Sequence, residues 1–475
     1  MRKSVSEPAS RLGGRFAFNL VLFGFIGQIA WIIENMYFNT FLYNAIYIGA
    51  SQEAVNGFIN VIDAVSKMVA YSAITAAVTT FLMGTLSDRI GTRKKFISIG
   101  YLIWGVIIAL FGFVSRDTTA QIFGLTDPVR ILTVTVWTVI VLDCVMTFAG
   151  STANDANFNA WVTDSTNEHN RASAESILSL FPLAATGVVL GLGGFLISGD
   201  DKQQSYALFF RILGIVVFVS GLLGLFTLQD SPKTVKSNTG KGYFTDIIYG
   251  FRPSVIRENA KLYLTLAAIC IYSIAVQVFF PYLIIYLEHS PDQFFAGGSM
   301  AITPALIIVA VLGLVVAVLG VLGIGKLIDR YGKDRFIVPV VALLVIGLTI
   351  LYFAHDLTLL LIGVVPTAIG YLTIGIMLNA AIRDFTPPKQ AGLFQGIRMI
   401  FMVMLPMVIG PLIGRSAILH SGATYLDDYG VSQAVPTSVM FLSAAITAAF
   451  TIIPVLIILK KGGFRPAVPQ SQPEK

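Results

Sequence analysis

The chain has 475 residues, of which 55% are hydrophobic and only 12% charged, with a formal net charge of +6. Soluble domains carry roughly 25% charged residues, so this composition excludes a soluble enzyme or signalling domain and points to an all-α polytopic membrane protein. The positive balance is not a nucleic-acid footprint, because the bases sit in short segments between long apolar runs.

Residues 1–15 are polar and basic, and the apolar run that follows is too long for a signal-peptide core. A spanning helix needs about 20 mostly apolar residues. On that ruler the chain holds twelve candidates, at 16–46, 57–86, 96–114, 131–160, 173–198, 206–228, 262–287, 303–327, 336–354, 357–382, 392–418 and 437–459. The longest hydrophilic insert, 229–261, separates an N-terminal six-helix bundle, 1–228, from a C-terminal bundle and tail, 262–475. It reads either as a plain linker or as an amphipathic helix on the inner face. Lys and Arg fix the orientation. With the N-terminus inside, the outer segments hold only Arg116, Arg130, Lys202 and Arg415, which places both termini in the cytoplasm and the protein in the plasma, or cell inner, membrane.

Two repeats support two copies of one plan. Gly84–Lys95 contains G-x-x-x-D-R-x-G between the second and third spans, and the pattern returns at Gly325–Gly332 between the eighth and ninth. Neither copy matches G-x-x-x-x-G-K-[ST], so no phosphate loop is present. Asn159–Thr166, at the exit of the fourth span, resembles Asn379–Thr386 at the exit of the tenth. The turn residues Gly84, Asp88, Arg89, Gly91 and Arg93 form a candidate cytoplasmic gate with Asp164, Arg171 and Glu175. In the second half Gly325, Asp329, Arg330 and Asp384 take the same place. The glycines permit close helix approach and a tight turn, and Asp88 can pair with a base or cap a helix of the other half.

Charges inside spans cost about 2.5–3.5 kcal/mol or more at mid-bilayer, so each is a candidate site by default. Glu34, with Asn35 beside it, lies in the outer part of the first span. Asp63 and Lys67 are four residues apart near the outer end of the second, where they form a candidate mutual pair that Glu34 can join. The fourth span is richest, with Asp143 in its outer half and Asn154, Asp155 and Asn159 in its inner half. At 100° per residue Asp143 and Asp155 sit 120° apart, whereas Asp155 and Asn159 share a face. Gln277, Asn379 and Arg398 are the counterparts in the second bundle, with Arg398 placed to neutralise Asp155 or an anionic solute. Trp31, Tyr37, Trp161, Tyr282 and Tyr371 are candidates to stack on a sugar ring. Cys144 and Cys270 both fall in apolar runs, and no disulfide, metal site, cofactor or catalytic constellation is expected.

Twelve spans, two halves and the acidic-basic glycine turn at Gly84–Lys94 resemble the major facilitator superfamily. The resemblance implies the two-bundle fold, with a solute site at mid-membrane between rocking halves. Phe158–Asp164 followed by Arg171 resembles, more weakly, the glycoside–pentoside–hexuronide:cation symporters and related sugar carriers. That group carries acids on its second helix close to the motif, and Ala70–Met83 has none. The expected function is therefore secondary active transport of a small polar organic solute, a sugar or glycoside, by symport with H⁺ or Na⁺, through a monomer whose other partner is membrane lipid. The alternative is a proton-coupled multidrug efflux antiporter, since the Asp88 motif is equally at home there.

Overall fold

The structure, a computed structural model, describes residues 13–166, 170–197, 199, 201–231, 251–289, 320, 323, 328, 330–386 and 397–464. Among them ten helices are long and apolar enough to cross a membrane. In the first half these are α1 (Gly14–Tyr47), α2 (Val61–Ile90), α3 (Lys94–Phe111), α4 (Pro128–Ser165) and α6 (Lys202–Thr227). Between α4 and α6 runs α5 (Arg171–Leu196), which contains Pro182. The second half contains α7 (Ala260–His289), α8 (Lys333–Tyr352), α9 (Leu357–Phe385), α10 (Ile397–Ser421) and α11 (Val439–Lys460). The eighth expected span, 303–327, lies outside the described residues apart from Gly320 and Gly323. Of the linker, only 229–231 and 251–261 are described, with a one-and-a-half-turn helix at Pro253–Glu258.

Each half is a set of closely packed helices. In the first, α3 lies along α6, and α1 packs on α5; in the second, α8 packs on α9 and α11, and α7 on α10. Small residues set the α3–α6 distance: a Cβ on Gly105 would lie 2.3 Å from the Phe218 nitrogen, and one on Gly221 would lie 2.6 Å from the Leu102 nitrogen. In lipid, where apolar surface gives no preference for helix over solvent, such close backbone contact is a main source of association. The halves meet along α2 and α10 and where α1 passes α7.

The second span starts four residues later than expected. Ser51 caps a short helix, Gln52–Gly57, and Asn60 then caps α2 by accepting from the Asp63 N–H. Each cap satisfies a backbone donor that would otherwise be orphaned. On the face opposite the chain termini, the α10–α11 connection folds into a two-stranded antiparallel hairpin, β1 (Thr424–Leu426) and β2 (Ser432–Ala434).

Among the described residues, three of the spanning helices are widened into π-helix. The stretches are Ile33–Phe38 and Leu42–Tyr47 in α1, Ser151–Phe158 in α4 and Ile400–Met404 in α10. Polar side chains there bond their own helix backbone. Asn35 donates to the Trp31 carbonyl at 2.7 Å, Asn39 to the Asn35 carbonyl at 2.8 Å, and Asn157 to the Thr152 carbonyl at 2.7 Å. Such bonds compete with the i→i−4 ladder, and π-turns gather at functional sites.

Candidate functional site

The first π-turn carries an acid. Glu34 lies within it, 6% exposed, and Asp143 of α4 is 1% exposed. Ser72 of α2 donates to Glu34 Oε1, and Thr147 of α4 donates to the same oxygen at 2.9 Å. The two hydroxyls are 2.7 Å apart, and Thr147 Oγ1 is also 2.9 Å from the Asp143 carbonyl. Glu34 Oε2 and Asp143 Oδ1 are buried without a hydrogen-bond partner. A buried charge is normally paired, yet the described bonds to the Glu34 carboxyl come only from hydroxyls.

Glu34 therefore does not join Asp63 and Lys67. Its partner Ser72 lies nine residues beyond Asp63 on α2, about 13.5 Å deeper at the helical rise. Asp63 also does not pair with Lys67. It forms an ion pair with Arg415 of α10, across the two halves. The i,i+4 spacing allowed the local pair, but the α2–α10 seam brings a guanidinium to the capped first turn of α2 and satisfies Asp63 there.

Asp155 accepts from Ser151 at 2.9 Å, and Asn159 donates to the Asp155 backbone carbonyl at 3.2 Å. The 120° reckoned between Asp143 and Asp155 does not apply, because the π-turn at Ser151–Phe158 intervenes. Asn154 belongs to a different cluster. Its Oδ1 accepts from Trp31 at 3.3 Å and its Nδ2 donates to the Tyr101 hydroxyl at 2.8 Å, which in turn donates to the Phe23 carbonyl at 2.6 Å. Gly27 makes room for this knot, since a Cβ there would lie 2.3 Å from Asn154 Nδ2.

In the second half Arg398 donates to Asn379 Oδ1 at 2.8 Å and to Met402 Sδ at 3.0 Å. Asn379 is held by the Gly375 carbonyl at 2.8 Å. Arg398 and Asn379 are thus brought together. Gln277 packs against the backbone of Gly410. Of the aromatic candidates, Tyr37, Trp161 and Tyr282 are buried in packing, Trp31 is half-buried and Tyr371 is exposed.

The glycine turn is organised by Arg93. Its guanidinium bonds Asp88 and Ser87, and its Nε reaches Asp164 Oδ2 at 3.3 Å. Gly91 closes α2 at φ +75°, a left-handed position that favours glycine. Asp230 then caps α3, accepting from Arg93 N at 2.6 Å and Lys94 N at 2.8 Å. Of the two expectations for Asp88, pairing with a base or capping a helix of the other half, the structure shows the first, with Arg93 of its own half as the base. Gly84 was expected to mark a close helix approach, but a Cβ there would sit 3.9 Å from Ala156, an ordinary contact. Arg89 is exposed. In the second copy Lys333 pairs with Asp384 at 2.8 Å, and Arg330 lies over the Tyr331 ring. Gly325 and Asp329 lie outside the described residues, as do the side chains of Arg171 and Glu175.

Two residues bonded to Glu34 escaped the sequence reading. Ser72 carries no pattern that marks it. Thr147 is four residues beyond Asp143, and that spacing was the available signal.

Two halves of membrane-length helices, with acids buried between the helices of the first, define a membrane transporter of the major facilitator class. The family model of the Major Facilitator Superfamily matches residues 16–323 and 299–475, so the chain belongs to that superfamily. No curated protein matches the chain. Among solved structures it is similar to a mutant form of the nucleoside transporter NupG, at TM-score 0.63 and 11% identity, covering 93% of this chain and 98% of that one. It is similar to the xylose transporter XylE from E. coli, inward open, at TM-score 0.61 and 14% identity over 96% of this chain and 98% of that one. A bacterial homologue of the human lysosomal transporter Spinster, inward-facing and unoccupied, gives TM-score 0.60 and 16% identity over 96% and 100%.

Proposed function

We propose that the chain is a secondary active transporter that works by alternating access and moves a small polar organic solute, a sugar or glycoside, in symport with H⁺ or Na⁺. The observation that carries this is the Glu34–Asp143 cluster: two buried carboxyls on α1 and α4, of which Glu34 accepts from two hydroxyls and Asp143 keeps an oxygen with no described partner. Two ionised carboxylates in that setting carry a steep desolvation cost. A proton or a bound cation removes it, which suits the cluster to hold the coupling ion. The solute would lie nearer the termini, where Asp155 and Asn159 of α4 lie on the N-terminal half and Arg398 and Asn379 on the C-terminal half. Carboxylate, amide and guanidinium groups of this kind suit hydroxyl-rich solutes. The terminus-bearing face is taken as cytoplasmic and the membrane as the cell inner membrane, from the lysine and arginine distribution.

The test is uptake into proteoliposomes across a panel of sugars and glycosides, with a pH or Na⁺ gradient imposed. Gradient-driven uptake that is lost in Glu34→Gln, with solute exchange retained, supports the proposal. Absence of sugar uptake together with gradient-driven export of lipophilic cations would replace it with multidrug antiport.

A further inference from the structure

We propose that the β1–β2 hairpin is the gate on the face opposite the termini, a strap carried by the C-terminal half that closes the solute path by docking on the end of α1. The inference rests on the alternating-access reading above, though not on the identity of solute or ion.

The hairpin is covalently part of the second half, joining α10 to α11, yet its bonds reach the first half. The Tyr43 hydroxyl of α1 donates to the Ala434 carbonyl at 2.8 Å. Gln433, 1% exposed, donates to the Tyr47 carbonyl at 3.3 Å, and the Ser432 N–H donates to Gln52 Oε1 at 3.1 Å. Asp427 organises the turn and binds across it. Its Oδ1 accepts from Val431 N at 2.8 Å and Tyr429 N at 3.1 Å, while Oδ2 accepts from the Gly49 N–H at 3.1 Å.

The docking surface is shaped for this contact. Gly49 sits at φ +72°, and a Cβ there would lie 2.9 Å from the Tyr429 ring and 3.3 Å from the Arg116 guanidinium. The left-handed backbone favours glycine here, and its missing side chain leaves room for the Tyr429 ring against α1. Beside the hairpin, the His289 ring of α7 lies 5.0 Å from that of Tyr43 and 4.8 Å from that of Tyr425, whose own rings are 6.5 Å apart, and His289 bonds Asn44 of α1 at 2.8 Å. Asn44 also donates to Glu288 at 2.7 Å. The strap thus lies beside a second inter-half layer and fastens it.

Rocking the halves about a mid-membrane site separates their ends on this face. The hairpin moves with α10 and α11, so its bonds to Tyr43, Tyr47, Gly49 and Gln52 must break together. Their strength sets the population of the state open on this face.

A reporter cysteine at Ser66, buried on α2 below the seal, reads that population. The background is the full chain with Cys144→Ser and Cys270→Ser, in vesicles exposing the hairpin face to a membrane-impermeant maleimide. Tyr43→Phe and Gly49→Ala are each expected to raise the Ser66→Cys labelling rate by about fivefold, the effect of removing one net hydrogen bond's worth of closure. Labelling of Asn159→Cys from the opposite face should fall in parallel. Unchanged Ser66→Cys labelling in both variants overturns the proposal. So does a rise with no matching fall at Asn159→Cys, which would make the hairpin a cover without a link to the cycle. Neither readout needs a solute or an ion gradient, so failure of the sugar-symport proposal leaves it standing.

Discussion

Arg93, in the turn after α2, binds Asp164 in the last turn of α4, and Lys333, at the start of α8, binds Asp384 in the last turn of α9. The two pairs hold corresponding places in the two halves, within one residue of strict repeat register. Each ties the glycine turn to the exit of the helix that carries the polar cluster of its own half. They differ in burial. Arg93 is 7% exposed and spends its guanidinium on Asp88, Ser87 and Asp164 together. Lys333 and Asp384 are each partly exposed.

Arg93→Ala should therefore cost about 2–4 kcal/mol, because it takes the guanidinium from Asp164 and Asp88 and unties Ser87 from the turn. Lys333→Ala removes an exposed pair and should cost less than about 1 kcal/mol. Thermal unfolding of the purified variants in detergent checks the contrast. Equal losses would show that the two copies brace their halves alike.

Asp63 and Arg415 pair across the seam between the halves. The arginine side chain is substantially exposed, so the pair contributes at most about 1 kcal/mol to stability. Its expected effect is on the balance of states. Asp63→Asn and Arg415→Ala should shift that balance the same way and by similar amounts, and the double variant should shift it no further than either alone. Distance measurement between spin labels on the hairpin-side ends of α2 and α10 reports it. Additive shifts would mean that the two residues act through different partners.

Glu34 has two hydroxyl donors on one oxygen and none on the other. Glu34→Gln keeps an acceptor for Ser72 and Thr147 and removes the titratable proton. Gradient-driven uptake should fall roughly 100-fold, as expected when a proton-transfer group is lost, with the folded state no less stable. Thr147→Val should instead lower stability by about 1–3 kcal/mol, because it removes a donor from a buried carboxyl. The pair of measurements is uptake under a gradient and unfolding temperature. A Glu34→Gln protein that still concentrates solute at the native rate would remove Glu34 from the coupling site.

Most of the fold was legible because lipid demands long apolar segments and the turn motif repeats. Positions of single side chains were less so, for identifiable reasons. Glu34 was placed too near the hairpin face because straight-helix counting from Phe16 ignores which neighbours it meets. Two π-turns in α1 and one in α4 then shift the angular register on which faces were reckoned. Asp63 and Lys67 look like a local pair, and only the α2–α10 seam shows that Arg415 supplies the charge. The hairpin at 424–434 was invisible as a device, since its bonds reach residues nearly 400 positions earlier in the chain.

Asn154 and Asp155 are neighbours in sequence with separate roles. Asn154 is held by Trp31 and Tyr101 in a knot that joins α1, α3 and α4, and Gly27 is shaped around it. Asp155 is bonded to Ser151, on the same helix. Tyr101→Phe leaves Asn154 Nδ2 without its hydroxyl partner and frees the Phe23 carbonyl, and should cost about 1–3 kcal/mol of stability. Asp155→Asn preserves shape and an acceptor for Ser151, so unfolding should be nearly unchanged while solute affinity falls by about tenfold or more, as for a lost charge-assisted bond. Parallel measurement of unfolding temperature and solute binding separates the two. If Asp155→Asn destabilises the protein and leaves binding intact, Asp155 belongs to the structural knot with Asn154, and the solute site must be sought at Arg398 and Asn379 alone.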